Sequence, residues 1–457
     1  MAQTTENRQA LLDQSIRSLI PRMAMPPIIA QLITKVYNLV DTFFVSTLGT
    51  AATAAVGVNT SLEHTITMFA GLIGSGACSY IARLLGEKRG KDADRVLSTS
   101  FFAGLALGVL FAVFGTIFIT PLMRLLSSNA DSEVYAIQYG TYVLLASPFM
   151  IGSFILNMCL RSEGRSTYAM VGIAAGGVLN CFLDPLFIYT FGLGVSGASM
   201  ATAISKAVSF FILLWPYIRK QCSVVISVKK IRLVAKDAQD VLSVGSTTCL
   251  RSVCNVLSSV LINRIAGTFS TAALAAVSVT NRILDFPFAV TLGFTQGCQP
   301  IIGFNWGAKR LDRVKETLRT SMKVAVIGSL VFGALLFAFA QPLVHIFNQD
   351  GNGQVLRLGV LCTRLQCLTL IIHSMESVLC MFYSGTGKAK YSLLMATARQ
   401  GYCFIPVILT IPFLFEAEGV AACQSISDLL MLAVAVPLGV KVTRIIKRKE
   451  AEIHGSC

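Results

Sequence analysis

Charge is scarce in this chain. Only 13% of its 457 residues are Asp, Glu, Lys or Arg, against roughly 25% in a soluble globular domain. That shortfall excludes an ordinary water-soluble enzyme or binding module. Acidic residues are the rarer kind, 23 against 38 basic, for a formal net charge of +15. In a soluble chain such a balance would suggest nucleic acid, but here the basic residues fall between apolar runs, and no nucleic-acid partner is expected. Four histidines, His64, His345, His373 and His454, are too scattered for a metal motif. Thirteen cysteines form no CxxC pair and lie mostly inside apolar runs, where inert thiols are the expectation. No GxxxxGK[ST] phosphate loop is present, which disfavours an ATP-driven pump. No cofactor is expected. The polar start, Met1 to Asp13, lacks the basic–apolar–small pattern of a cleaved signal, so the first apolar helix should be retained.

What the chain does have is apolar length. It is 54% hydrophobic, with a mean hydropathy of +0.68. Stretches long enough to cross a bilayer, about 20 residues each, occur at 16–46, 54–82, 97–119, 134–158, 168–190, 195–218, 240–265, 272–302, 320–341, 354–380, 391–415 and 419–445. Their connections alternate in charge. Arg83–Arg95, Arg161–Arg165, Arg219–Lys236, Lys309–Lys323, Lys388–Lys390 and both chain ends hold nearly all the bases. The other connections hold Asp131, Glu133, Asp350, Glu416 and Glu418, with Arg124 as their only base. The positive-inside rule then puts both termini in the cytoplasm of a multi-pass protein.

The sequence also repeats. Gly76 to Gly86 faces Gly297 to Gly307 at an offset of 221, Pro121 meets Pro342 at the same distance, and Arg161 to Ser166 faces Ser384 to Ala389 at 223. Each copy holds six apolar stretches. The expectation is an all-α polytopic membrane protein of twelve transmembrane helices, in two six-helix lobes related by an axis along the membrane normal. The lobes would span 1–218 and 241–457, the second with a basic tail, joined by a cytoplasmic linker at 219–240. A cavity between them could open to either side as they rock.

Ionisable residues inside apolar stretches are costly and are functional candidates by default. Lys35 and Asp41 lie in the first helix, which should bend at Pro26 and Pro27. A Lys35–Asp41 ion pair is a competing, purely structural reading, although six residues is a poor spacing for one helix face. In Asn180-Cys181-Phe182-Leu183-Asp184-Pro185, Asn180 and Asp184 share a face and Pro185 frees the Cys181 carbonyl. A carboxylate, an amide oxygen and a free carbonyl suit a proton or hard cation, with sodium a candidate at Asp41, Asn180, Asp184 and Thr202. Lys206 follows Thr202 by four. In the second copy Ile262, Val407 and Gln424 stand where Asp41, Asp184 and Thr202 stand in the first, so coupling belongs to the first half. Arg282 and Asp285 could pair or line the cavity, and Glu63-His64, their counterparts in the repeat, could form a second polar lining.

These phrases resemble the multidrug and toxic compound extrusion (MATE) family of secondary transporters. The resemblance runs from about Ser15 to Arg444 and rests on Tyr37-Asn38-Leu39-Val40-Asp41, Asn180 to Ile188 and Gln299 to Lys309. It implies two six-helix lobes in a V and export of small organic cations in exchange for H+ or Na+. In the prokaryotic branch, the N-lobe site would correspond to Tyr37, Asp41, Asn180, Asp184 and Thr202, with Asn157 nearby and Pro26 at the first-helix bend. Lys35 and Lys206 depart from that pattern. A monomer in the prokaryotic plasma (inner) membrane, touching membrane lipids, is expected. The competing readings are a flippase for a lipid-linked or anionic amphiphile, which would need a basic cavity, and a non-transporting receptor or scaffold, which would have little use for buried acids.

Overall fold

The computed structural model describes residues 11–126, 130–348 and 351–454. Asp350, used above in sorting the connections, and the extreme ends of the chain lie outside the described residues. The first half comprises α1 (Ile16–Ser46), α2 (Thr50–Gly86), α3 (Gly90–Ile117), α4 (Ile119–Leu126), α5 (Ala130–Ser162), α6 (Ser166–Pro185), continued by a wider π-helical turn at Leu186–Thr190, and α7 (Gly194–Ile218). The second half comprises α8 (Ala235–Phe269), α9 (Thr271–Gly307), α10 (Leu311–Ala338), α11 (Ala340–Phe347), α12 (Gly353–Gly385), α13 (Ala389–Thr397), continued by a π-helical turn at Ala398–Tyr402, and α14 (Phe404–His454). In an apolar solvent every backbone amide must be satisfied inside the chain, and only helices or closed barrels do that.

Ten described helical stretches are long and apolar enough to cross a membrane. α8, with 35 residues, is long enough but more polar, carrying Arg251 and Arg264. The stretch Ala389–Ile453 has 65 residues, which as one straight helix would reach about 98 Å, some three bilayer cores. It is not straight. Glu416 breaks it at φ 49° and ψ −132°, and Gly419 lies so close to the Ile411 carbonyl that an added Cβ would meet it at 2.7 Å. Residues eight apart in a helix are about 12 Å apart, so the chain reverses at Glu416.

The connections beginning at Pro121 and Pro342 each contain a two-turn helix, α4 and α11. α1 is one continuous helix through Pro21, Pro26 and Pro27. The prolines remove amide donors there without ending it.

Helices of the first half pack chiefly on one another, α2 and α3 on α5, α5 on α7 and α1 on α6; in the second half α9 and α10 pack on α12, and α12 on α14. The halves meet through α1 against α9 and α2 against α8 and α9. Glycines make those approaches possible. A Cβ on Gly86 would meet the Phe304 carbonyl oxygen at 2.1 Å, and one on Gly307, its counterpart in the repeat, would meet the Arg83 carbonyl oxygen at 2.1 Å. Gly76 against Val241 and Gly297 against Met23 continue the same seam. All four glycines lie toward the end of the molecule that carries the basic connections.

Candidate functional site

Helix periodicity brings the first-half candidates together. Asn180 and Asp184, one turn apart on α6, face Thr202 on α7. The Asn180 amide nitrogen donates to Asp184 Oδ1 at 2.9 Å and to Thr202 Oγ1 at 3.3 Å. All three are buried, as is Asp41 on α1. Asp41 and Asp184 are close enough to repel as like charges. One turn beyond Thr202, the Lys206 ammonium donates to the Tyr37 hydroxyl at 2.9 Å and lies 5.2 Å from that ring's centre. It also faces Asp41 and Glu63. The cluster therefore holds three carboxyl groups and one amine.

Three of its acceptor atoms are orphaned. Asp41 Oδ1, Asn180 Oδ1 and Asp184 Oδ2 are buried without a hydrogen-bond partner among the described residues. An unsatisfied buried acceptor costs about 1–3 kcal/mol, and a donor or a cation placed there would relieve that cost. By contrast, no group of three or more His, Cys, Asp or Glu side chains suited to a resident metal occurs among the described residues.

Several expected assignments change. Lys35 does not pair with Asp41. Its ammonium lies 3.1 Å from Asp285 on α9, so it joins the two halves. Asp285 is thereby engaged with Lys35, and the Arg282–Asp285 pair is not formed; Arg282 stays exposed. Glu63 and His64 have different neighbours. Adjacent helical residues point about 100° apart, which sends Glu63 to Lys206 and His64 to the Lys35–Asp285 pair. Asn157 braces α5 against α6 by donating to the Ala169 carbonyl at 2.8 Å. It sits 18 residues along α5 from Tyr139, about 27 Å, and so is remote from the acids.

Tyr139 is the residue that sequence reasoning missed. It is buried on α5 and lies beside Asp41 and Thr202. A lone tyrosine in an apolar run carries no spacing signal, and only the packing of α5 behind the site reveals it.

Toward the basic end the halves are sealed by a polar relay under the Lys35–Asp285 pair. Arg161, fully buried at the end of α5, donates to Gln296 Oε1 at 2.5 Å, and Gln31 donates to the same oxygen at 3.1 Å. Arg161 Nε has no acceptor among the described residues. In the second half, Asp428 is fully served: Arg399 Nε and Gln424 Nε2 donate to its Oδ1 at 3.0 Å each, and the Thr369 hydroxyl to its Oδ2 at 3.0 Å.

An all-helical polytopic membrane fold, internally repeated and holding an unsatisfied acid cluster in one half, defines a transporter rather than an enzyme. The chain belongs to the MatE family, whose model matches twice, at residues 26–186 and 248–410. It is thus a secondary transporter of the multidrug-efflux class, and the double match marks its internal repeat. Among its relatives, the multidrug export protein MepA of Staphylococcus haemolyticus (strain JCSC1435) is 25% identical over 410 residues, 89% of this chain and 90% of that protein. Crystal structures of a MATE in complex with MaL6 and of a MATE in the straight conformation each superpose with a TM-score of 0.89 at 25% identity, covering 96% of this chain. They cover 99% and 98% of those chains respectively.

Proposed function

We propose that the protein exports lipophilic organic cations and couples their exit to entry of protons or sodium through the Asp41–Asp184 cluster. The three orphaned oxygens on Asp41, Asn180 and Asp184 carry this reading. Asp41, Glu63 and Asp184 outnumber Lys206, so the ionised cluster has a surplus of negative charge that a proton, a sodium ion or a cationic substrate relieves. Only one such charge need be present at a time, and competition for it is exchange. The export named for the Staphylococcus relative is consistent with this.

The geometry this function needs is two six-helix lobes, 1–218 and 241–457, joined by 219–240. Counting α8 as a span and 389–454 as two supports twelve crossings. The ion pair, hydrogen bonds and close glycine approaches between the halves named above lie at the Lys35–Asp285 pair or on its basic side, which supports a cleft open toward the opposite face. With the basic connections and both ends in the cytoplasm of a prokaryotic plasma membrane, that face is the exterior. Pro26 and Pro27 mark where α1 gives up ladder bonds and can bend at least cost as the acids change charge. The protein works as a monomer on this reading. A flippase for anionic lipids is less favoured, since Lys35, Lys206 and Arg399 are each accompanied by an acid.

The test is uptake of a fluorescent organic cation into vesicles under pH and sodium gradients imposed separately. Wild type should respond to at least one gradient. Asp184→Asn should lower coupled transport roughly tenfold or more, the kinetic equivalent of ~1.4 kcal/mol. Wild-type rates in an inserted, folded Asp184→Asn protein would overturn the assignment.

A further inference from the structure

The linker between the halves carries a feature that transport does not use. Residues 223–232 are sewn onto the first turns of α3. Asp94 Oδ1 accepts from the Val225 amide at 2.8 Å, Ser98 Oγ accepts from the Ser227 amide at 3.1 Å, and Thr99 Oγ1 accepts from the Arg232 amide at 3.2 Å. The chain is thereby held in one place. Between it and α3 lies a cleft of ≈ 390 Å³ lined by Lys91, Asp94, Arg95, Lys229, Lys230, Ile231 and Arg232.

The charge in this cleft is uneven. Lys230 is neutralised by Asp94 at 2.5 Å, and Arg95 by Asp92 at 2.8 Å and Asp237 at 2.7 Å. Lys91, Lys229 and Arg232 are exposed and make no ion pair among the described residues. Three basic groups therefore face one opening without counter-charge. Threaded between them are apolar side chains turned outward: Val228 is 68% exposed, Ile231 40% and Leu233 83%. The level matters too, because Arg232 is bonded to Thr99 and α3 becomes apolar from Phe101 onward.

We infer that this cleft binds the headgroup of an anionic phospholipid, with Val228 and Leu233 entering the acyl region beside it. Bases clustered next to a spanning helix attract anionic lipid, and leucine beside them adds apolar area buried in the bilayer. A soluble phosphate would satisfy the bases but leave the leucine without a role. The inference goes beyond the transport reading and rests on it only in placing the basic end at a membrane surface. Its test reads binding, not transport, so either can fail alone.

The full chain would be reconstituted in phosphatidylcholine bilayers containing trace spin-labelled phosphatidylglycerol or spin-labelled phosphatidylcholine, and the motionally restricted fraction of each measured. Wild type should prefer phosphatidylglycerol. K91Q/K229Q/R232Q should lose most of that preference, since each charge near an anionic surface is worth about fivefold. K309Q/R319Q/K323Q, which removes as many exposed bases from the other connection, should keep it. Leu233→Ser should weaken retention of both lipids. Equal loss in both triple variants would mean diffuse attraction and overturn the site, as would an unchanged preference in the first. Displacement of the phosphatidylglycerol by millimolar inorganic phosphate would overturn the lipid assignment in favour of a soluble anion.

Discussion

Two buried aspartates show how differently one residue type is used. Asp428 receives three donors, one from a guanidinium, and serves as a fixed brace. Asp184 receives one amide donor and leaves an oxygen empty. The first is a finished structure and the second is waiting for a partner. Outside the spans, Glu163 is a third case. In the turn between α5 and α6, its carboxylate accepts from the Tyr217 hydroxyl at 3.1 Å and the Ser223 amide at 2.5 Å. Burial nonetheless pushes its pKa up to about 7, outweighing those bonds. The folded protein therefore binds a proton there that the unfolded chain, with an ordinary carboxyl pKa of about 4.3, releases earlier. Stability from this group is present below the unfolded pKa and declines as pH rises to about 7. Thermal unfolding of the solubilised protein should show a midpoint falling between about pH 5 and pH 7, with the fall reduced in Glu163→Gln. An identical slope in the variant would assign the pH dependence elsewhere.

At the scale of elements, the sequence was informative where a single chain property decides the outcome. Apolar length marks ten described stretches that could cross a membrane, and the repeat offset pairs Gly86 with Gly307. It failed where the partner comes from another helix. Nothing in the spacing of Lys35 says that it reaches Asp285 rather than Asp41, because the choice depends on how α1 lies against α9. Glu63 joined the acids through α7, and Tyr139 through α5, for the same reason. The seam between the halves gives an element-scale prediction. Gly86→Val would drive a side chain into the Phe304 carbonyl, already 2.1 Å from where a Cβ would lie. Backbone cannot yield there as a flexible side chain could, so the basic end should part. Buried Cys78, one helix face along the seam, should then react with maleimide several-fold faster than in wild type. Unchanged protection of Cys78 would mean that the seam re-forms around the valine.

For the whole molecule, the division of labour follows from the repeat. Two copies of one fold give two faces that can meet, and their divergence leaves the Asp41–Asp184 pair in one of them. The second half kept the packing and lost the acids at Ile262 and Val407. An exchanger needs this asymmetry less for binding than for reporting: the charge state of one half must alter how firmly it holds the other. Lys35 and Asp285 are well placed for that, since α1 carries both Lys35 and, six residues on, Asp41.

Arg161 bears on what happens next. The sealed form holds the Arg161 guanidinium against the neutral Gln296 amide, with one nitrogen unserved and no acid paired with it among the described residues. Water would relieve that confinement if the basic end parted. On the proposed mechanism the closed joint would then be held against a charge that favours release. Arg161→Met should relax that stress by on the order of 1–4 kcal/mol, as replacing buried charge with apolar bulk commonly does. Cys78 should become harder to label than in wild type, the protein more heat-stable, and turnover slower. A variant that instead labels faster and melts lower would show the arginine to be a clamp, and the joint to be at rest when shut.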